Sequence, residues 1–400
     1  MNAVSSAEMV ADHHDFYYNA VTGVLTFATK NFSNFTLVAF ATLEDVWDGS
    51  SDTSWYNEED TVFKLDTAEQ LAGLAVLVDN GNTFAGKTVI LNKNMDLYCC
   101  DEDGDRIFFE PIGTAEEAHF SGTFNGNNRT IDNLRQDCNS THLGLFGSVY
   151  QGTIKNFVVD NALIESAGAG YTAVVAAYAG DSHFENITLR NSVAVSYNHN
   201  TAGIVAYCGA NGTTTTFDGI NIEASSTIGS WWGSYDTRVG GIVCAMDTES
   251  YVVIKNSIVA CRLDVYNDVT SNYQYCNYRT AGMVVADVRD LKVVDGAEIV
   301  NPLRVTCENV TVIFGDWANY HYCESKDYGK PSYATAGEFK FKRVEAGLGY
   351  KGVDTSKCNH TEDEDHCELF AFDCLFGARD GKGIRPVNSF EGVTVVYSNN

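Results

Sequence analysis

The stretch from Phe120 to Leu134, FSGTFNGNNRTIDNL, sets the pattern that most of the chain follows. Two short runs alternate apolar and polar side chains around an Asn125-Gly126-Asn127-Asn128 corner, with Phe120, Gly122 and Phe124 before it and Thr130, Ile131 and Leu134 after it. Such alternation buries one face, and the corner predicts a sharp bend between two strands. The Gly-bounded run LGLFGSV (Leu143–Val149) is then followed by IKNFVVDNALI (Ile154–Ile164), a strand with Asn near its start. Related pairs recur as AVVAAYAG with FENITLRNSVAV from Ala173, AGIVAYCG with FDGINIEASSTI from Ala202, GGIVCAMD with IKNSIVACRLDV from Gly240, and AGMVVADV with LKVVDGAEIV from Ala281.

Aligning these five units on Gly144, Ala173, Gly203, Gly241 and Gly282 gives intervals of 29, 30, 38 and 41 residues. Periods of roughly 20 to 50 residues belong to solenoids and propellers. No unit is large enough to bury its own apolar face, so stacked copies must build a continuous interior. A propeller blade needs four antiparallel strands, whereas these units read as two or three short strands with small residues inward. The expected fold is therefore all-β, a right-handed parallel β-helix.

FSGTFNGNNRTIDNL, LGLFGSV and the G-[IM]-V runs resemble the GLUG-type repeats of bacterial cell-surface and adhesin-like proteins. WDGSSDTSWYN (Trp47–Asn57) and DTAEQLAGLAVLVDNGNTFAGKTVILNKNMDL (Asp66–Leu97) are similar to the segment that leads into such β-helices, so the resemblance covers about residues 47 to 300. It implies architecture more than activity, because solenoids of this kind serve adhesins, wall proteins, phage fibres and polysaccharide enzymes alike. Twelve cysteines depart from that pattern.

Three segments are expected: an N-terminal β-strand arm over 1–46, either the remnant of an Ig-like sandwich or a donor to one; the β-helix with its N-terminal cap over 47–302; and an irregular β-rich C-terminal cap over 303–400. Thr67 and Gln70 stand at capping-box spacing, and Leu71, Leu74, Ala75 and Val78 share a face, which predicts a helix over Thr67–Val78 covering the open end of the core. Asn80-Gly81 stops it. Trp47, Trp55 and Tyr56 are expected to anchor the preceding acidic segment on the first coil.

A formal charge of −27 disfavours nucleic acid and anionic lipid as partners and suits divalent cations. No apolar run is long enough to span a membrane. The first fifteen residues lack the basic start and apolar core of a secretory signal, so the sequence reads as cytosolic or as beginning inside a longer precursor. Twelve Cys and eight N-x-[ST] sequons, at Asn31, Asn34, Asn128, Asn139, Asn186, Asn211, Asn309 and Asn359, favour an extracellular or cell-surface glycoprotein.

Asp101, Asp103 and Asp105 in DEDGDR alternate as oxygen ligands of calcium do, though the closing Glu of an EF-hand is absent; a solvated acidic turn is the alternative. Cys358, His360, His366, Cys367 and Cys374 are of the types that hold zinc, at no standard spacing, and a Cys358–Cys367 disulfide closing a hydrated loop is the other reading. Cys208 and Cys244 follow equivalent apolar runs and are expected to stack between coils, within disulfide reach. Asp160, Glu223, Asp264 and Asp295 are the candidate acids of a polysaccharide lyase or hydrolase, but no pair is singled out by spacing. The loops before each Gly-apolar strand carry Tyr171, Tyr197, Trp231, Trp232, Tyr235, Tyr273, Tyr275 and Tyr278. A solenoid would bring them to one edge, either as a ridge for sugar rings or a protein partner or packed against the coils.

These readings converge on a non-catalytic extracellular structural or adhesive protein, with self-assembly into a homo-oligomer or filament through the N-terminal arm. The alternatives are a β-helix carbohydrate-active enzyme and a phage fibre-like glycan-binding protein.

Overall fold

Ile154 shows how the coils are built. It lies in register between Phe124 and Phe184, and the column continues through Phe217 to Ile254. Val159 heads a parallel column with Ile131, Leu189 and Ile222. All nine side chains are buried. Phe184 and Phe217 stack with centroids 5.3 Å apart and planes 13° from parallel. Parallel strands bring the same position of every coil together at about 4.8 Å, so the period-2 pattern of one strand fills the core only when its neighbours carry the same pattern.

The computed structural model describes residues 2–3, 15–19, 24–27, 46–101, 103–114, 118–138, 141–166, 170–196, 200–230, 237–268, 279–288, 291–294, 297–300, 304–314, 319–324, 366–371, 375–378 and 390–397. The chain divides into two units, Met1–Thr42 and Leu43–Asn400. In the first, Asp15–Asn19 pairs antiparallel with Val24–Phe27 and parallel with Asn2–Ala3. The FTLVAF run expected as a further strand lies outside the described residues.

The second unit is a parallel β-helix. One coil runs through Phe146–Tyr150 in sheet I, Thr153–Asp160 in sheet II, Leu163–Ser166 in sheet III and Tyr171–Ala173 in sheet IV, then enters sheet I again at Ala176–Gly180. Each coil thus has four strands rather than two or three. The sheet I register pairs Phe146 with Ala176, then Val205, Val243 and Val285, at spacings of 30, 29, 38 and 42 residues. In sheet IV Leu143 pairs with Thr172, which sets Gly144 against Ala173 as aligned from the sequence, whereas Ala173 pairs with Ala202 rather than Gly203, and Gly282 with Gly240 rather than Gly241. Backbone pairing fixes this alignment, and a small residue beside the turn does not.

The NGNN corner is a bulge rather than a bend between strands. Thr123–Asp132 is one strand, pairing Asn125 with Lys155 and Arg129 with Phe157, and its extra residues include Asn127 and Asn128 at φ 51° and 56°. Later coils keep one left-handed residue in this region: Asn156, Asn186, Gly219, Asn256 and Asn309. Asn and Gly tolerate that conformation, which explains the recurring IKN and FEN. The Asn amides form a ladder, Asn156 Nδ2 donating to Asn125 Oδ1 and Asn186 Nδ2 to Asn156 Oδ1, both at 3.1 Å.

The helix spans Ala68–Asp79, with Thr67 Oγ1 accepting from Gln70 N and Gln70 Oε1 accepting from Asp66 N. Leu71, Leu74, Ala75 and Val78 share one core with Phe63 and Leu65 of the first strand of sheet II. Trp47 meets Phe109 edge-on at 5.5 Å, and Trp55 and Tyr56 both sit 5.3 Å from Phe63. Beyond residue 302, Val310–Phe314 and Val393–Tyr397 extend sheet II in parallel, and Phe376–Ala378 extends sheet I. The region expected as an irregular cap therefore carries further strands of the same ladder. Long insertions between them hide the period in the sequence.

Candidate functional site

Sheets IV and I meet at a tight turn, and a second apolar cluster lies there, separate from the coil interior. It contains Ala173, Ala202, Ala206, Cys244, Ala245 and Ala286, with Tyr171 and Tyr207 packed against it. Along sheet IV, Val239 and Ala281 belong to the main core, so the alternate positions face the other way. One such position runs His142, Tyr171, Asn200 and Arg238 through successive coils. A matching position in sheet I runs Ser148, Tyr178, Tyr207, Ala245 and Asp287.

The two columns meet across the corner. At one end, His142 lies 5.6 Å from Tyr171, Tyr171 lies 4.8 Å from Tyr207, and Tyr207 stacks on Tyr178 at 6.0 Å, measured between ring centroids. All four rings are half-buried, each keeping part of its surface in solvent. Farther along, Arg238 Nε donates to Asp287 Oδ2 at 2.6 Å and its Nη1 to Asn200 Oδ1 at 3.0 Å. Asp287 is fully buried, and so close an ion pair in a low-dielectric corner holds the two sheets in one orientation. Small residues at the corner let the sheets close up, and the larger side chains above them form a strip that is aromatic at one end and polar at the other.

Of the aromatic residues expected at this edge, Tyr171 is in the strip. Tyr197, Trp231, Trp232, Tyr235, Tyr273, Tyr275 and Tyr278 lie outside the described residues. Tyr178, Tyr207 and His142 were missed, although the repeat held a signal: AVVAAYAG and AGIVAYCG place Tyr178 and Tyr207 at the same point of their units.

The other expected sites fare differently. Cys208 pairs in register with Met246, not Cys244, and both side chains are buried. Cys208 belongs to the main core and Cys244 to the corner cluster, so the expected bridge is corrected by a two-residue offset. Burial pushes the Cys208 thiol up and holds those of Cys261 and Cys307 at about 12, which keeps all three inert. Cys367 lies opposite Cys323 in an antiparallel pair, whereas Cys358, His360 and Cys374 fall outside the described residues.

Asp101, Asp103 and Asp105 are exposed, and Asp101 Oδ1 accepts the backbone N–H groups of Asp103 and Asp105 at 3.0 and 2.8 Å. Among the described residues, no three His, Cys, Asp or Glu side chains gather as a metal site. Asn186 and Asn309 commit their amide nitrogens to Asn ladders, whereas Asn128 and Asn211 are exposed on a bulge and a turn. Asn31, Asn34, Asn139 and Asn359 lie outside the described residues.

Asp160 Oδ2 pairs with Arg190 Nε at 2.7 Å, and its Oδ1 accepts from Asn191 Nδ2 at 2.9 Å. Asp160 is in register with Asp132, and Asp132 with Asp96. Glu223 follows the end of a sheet II strand, Asp264 pairs in register with Gly229 of sheet III, and Asp295 lies outside the described residues. Asp160 has two carboxylate neighbours in register, Asp132 and, beyond it, Asp96, that spacing did not reveal.

No family model matches the chain. It is 33% identical over 169 residues to Halomucin from Haloquadratum walsbyi (strain DSM 16790 / HBSQ001), a match covering 41% of this chain and 2% of that protein. The chain therefore spans a small fraction of the curated relative it matches. A solved structure from Bacteroides ovatus, described as a candidate immunoglobulin A1 protease, aligns with a TM-score of 0.40 and 12% identity over 69% of this chain and 79% of that one.

Proposed function

We propose that this chain is a non-catalytic segment of an extracellular or cell-surface protein that contacts glycans through the strip where sheets IV and I meet. The observation that carries the reading is the run His142, Tyr171, Tyr207 and Tyr178, four half-buried rings held in fixed register by the coils. Ring faces fixed by a scaffold suit the apolar faces of sugars. The similarity to a stretch of a protein named as a mucin supports a surface setting, as do the sequons. GLUG-type repeats remain the family reading, and a homo-oligomer or filament formed through the N-terminal arm is its assembly counterpart.

Tyr171→Ala combined with Tyr207→Ala tests the reading on a glycan array. Loss of binding with unchanged β-type circular dichroism is the expected outcome; full binding by the double variant would sink it. The alternative, a polysaccharide lyase or hydrolase, has its own readout. Depolymerisation of an acidic or neutral polysaccharide that Asp160→Asn abolishes would replace the adhesive reading with the catalytic one.

A further inference from the structure

Asp96, Asp132 and Asp160 occupy one register position in three successive layers of sheet II. Parallel pairing places such residues about 4.8 Å apart on the same face, which brings three like charges close together if all are ionised. The outer two have compensation. Asp96 Oδ1 accepts from Tyr98 N at 3.0 Å and Asn133 Nδ2 at 2.8 Å, and Asp160 holds Arg190 and Asn191. Asp132 differs, because its Oδ1 is buried with no hydrogen-bond partner.

We propose that this column is a proton-operated tie between the first coils. In it Asp132 keeps its proton at mildly acid pH and donates it to a neighbouring carboxylate, and deprotonation loosens the contact. The charged groups facing Asp132 are Asp96 and Asp160 on the adjacent strands and Arg135 on the strand that follows; Arg190 and Arg106 stand one step farther out. Arg135 donates from Nη1 to the carbonyls of Leu134 and Asn161. Burial first, then the charges of Asp160 and Asp96, push the Asp132 carboxyl above the usual aspartate range, and Arg135 only partly offsets them.

The sign follows from linkage. A carboxyl raised in the folded state binds a proton more readily folded than unfolded. Stability therefore increases as pH falls from above the folded value toward the ordinary aspartate value near 4, and the contribution is lost as pH rises through the folded value. Thermal melts of the full chain between pH 4 and 7.5 test this, with Asp132→Asn as a permanent neutral amide. The variant is expected to melt above the parent at pH 7.5, with the gap closing on acidification. Asp96→Asn keeps an oxygen for Tyr98 N–H and the Asn133 amide while removing one like charge, so it should move the parent's pH step to lower pH. An Asp132→Asn profile offset from the parent by the same amount at every pH would overturn the tie. So would an Asp96→Asn profile that superimposes on the parent, and this second comparison decides alone should Asp132→Asn fail to fold.

Discussion

Asn156 stands at φ 61°, donates to Asn125 and accepts from Asn186, so one side chain joins three coils. Replacing it with Ala removes two rungs and places a Cβ residue without a compensating polar group in the left-handed region. A loss of about 1 to 3 kcal/mol is expected by urea denaturation. Asn156→Gly loses the same rungs but accepts the backbone, and should fall short of the Ala variant's loss. Equal losses would show that the ladder alone matters and the conformation does not.

The helix Ala68–Asp79 carries two opposing tests of the cap. Gly73 is buried in it, and a Cβ there would lie 1.9 Å from the carbonyl oxygen of Asp52, so the acidic segment rests on the helix by close backbone approach. Gly→Ala in a helix interior ordinarily gains up to about 1 kcal/mol. Here Gly73→Ala should instead lower the melting temperature, because backbone on the far side cannot swing away. Thr67→Ala removes the N-cap oxygen and should cost about 1 kcal/mol. A stabilising Gly73→Ala would mean that the Trp47–Tyr56 segment is not held against the helix.

Among the described residues the unit Met1–Thr42 carries a three-stranded sheet, and so small a sheet is marginal alone in water. Its edges can pair with another chain, and head-to-tail repetition of that contact would build a filament rather than a closed dimer. Deleting residues 1–40 is expected to convert assemblies into folded single chains by light scattering. An unchanged assembly state would remove the arm from the model.

Much of this molecule is legible in its sequence. The alternating runs, the Thr67 cap and the recurring small-residue turns each follow from local backbone preference and from one period of burial, so they report the β-helix directly, whereas the Asn125–Asn128 corner reads as a bend and only the pairing shows it to be a bulge within one strand. The strip where sheets IV and I meet is half legible, since Tyr178 and Tyr207 repeat in place while His142 shares its column with Asn200 and Arg238, which look unrelated to it. What only the tertiary structure decided is register. A shift of one or two residues changes which side chains meet between coils without changing any local pattern, and hydrogen bonding between strands many residues apart sets that shift. It moved Cys208 onto Met246 and away from Cys244, joined Arg238 to Asp287, and aligned Asp96, Asp132 and Asp160, whose sequence spacings carry no sign of one another.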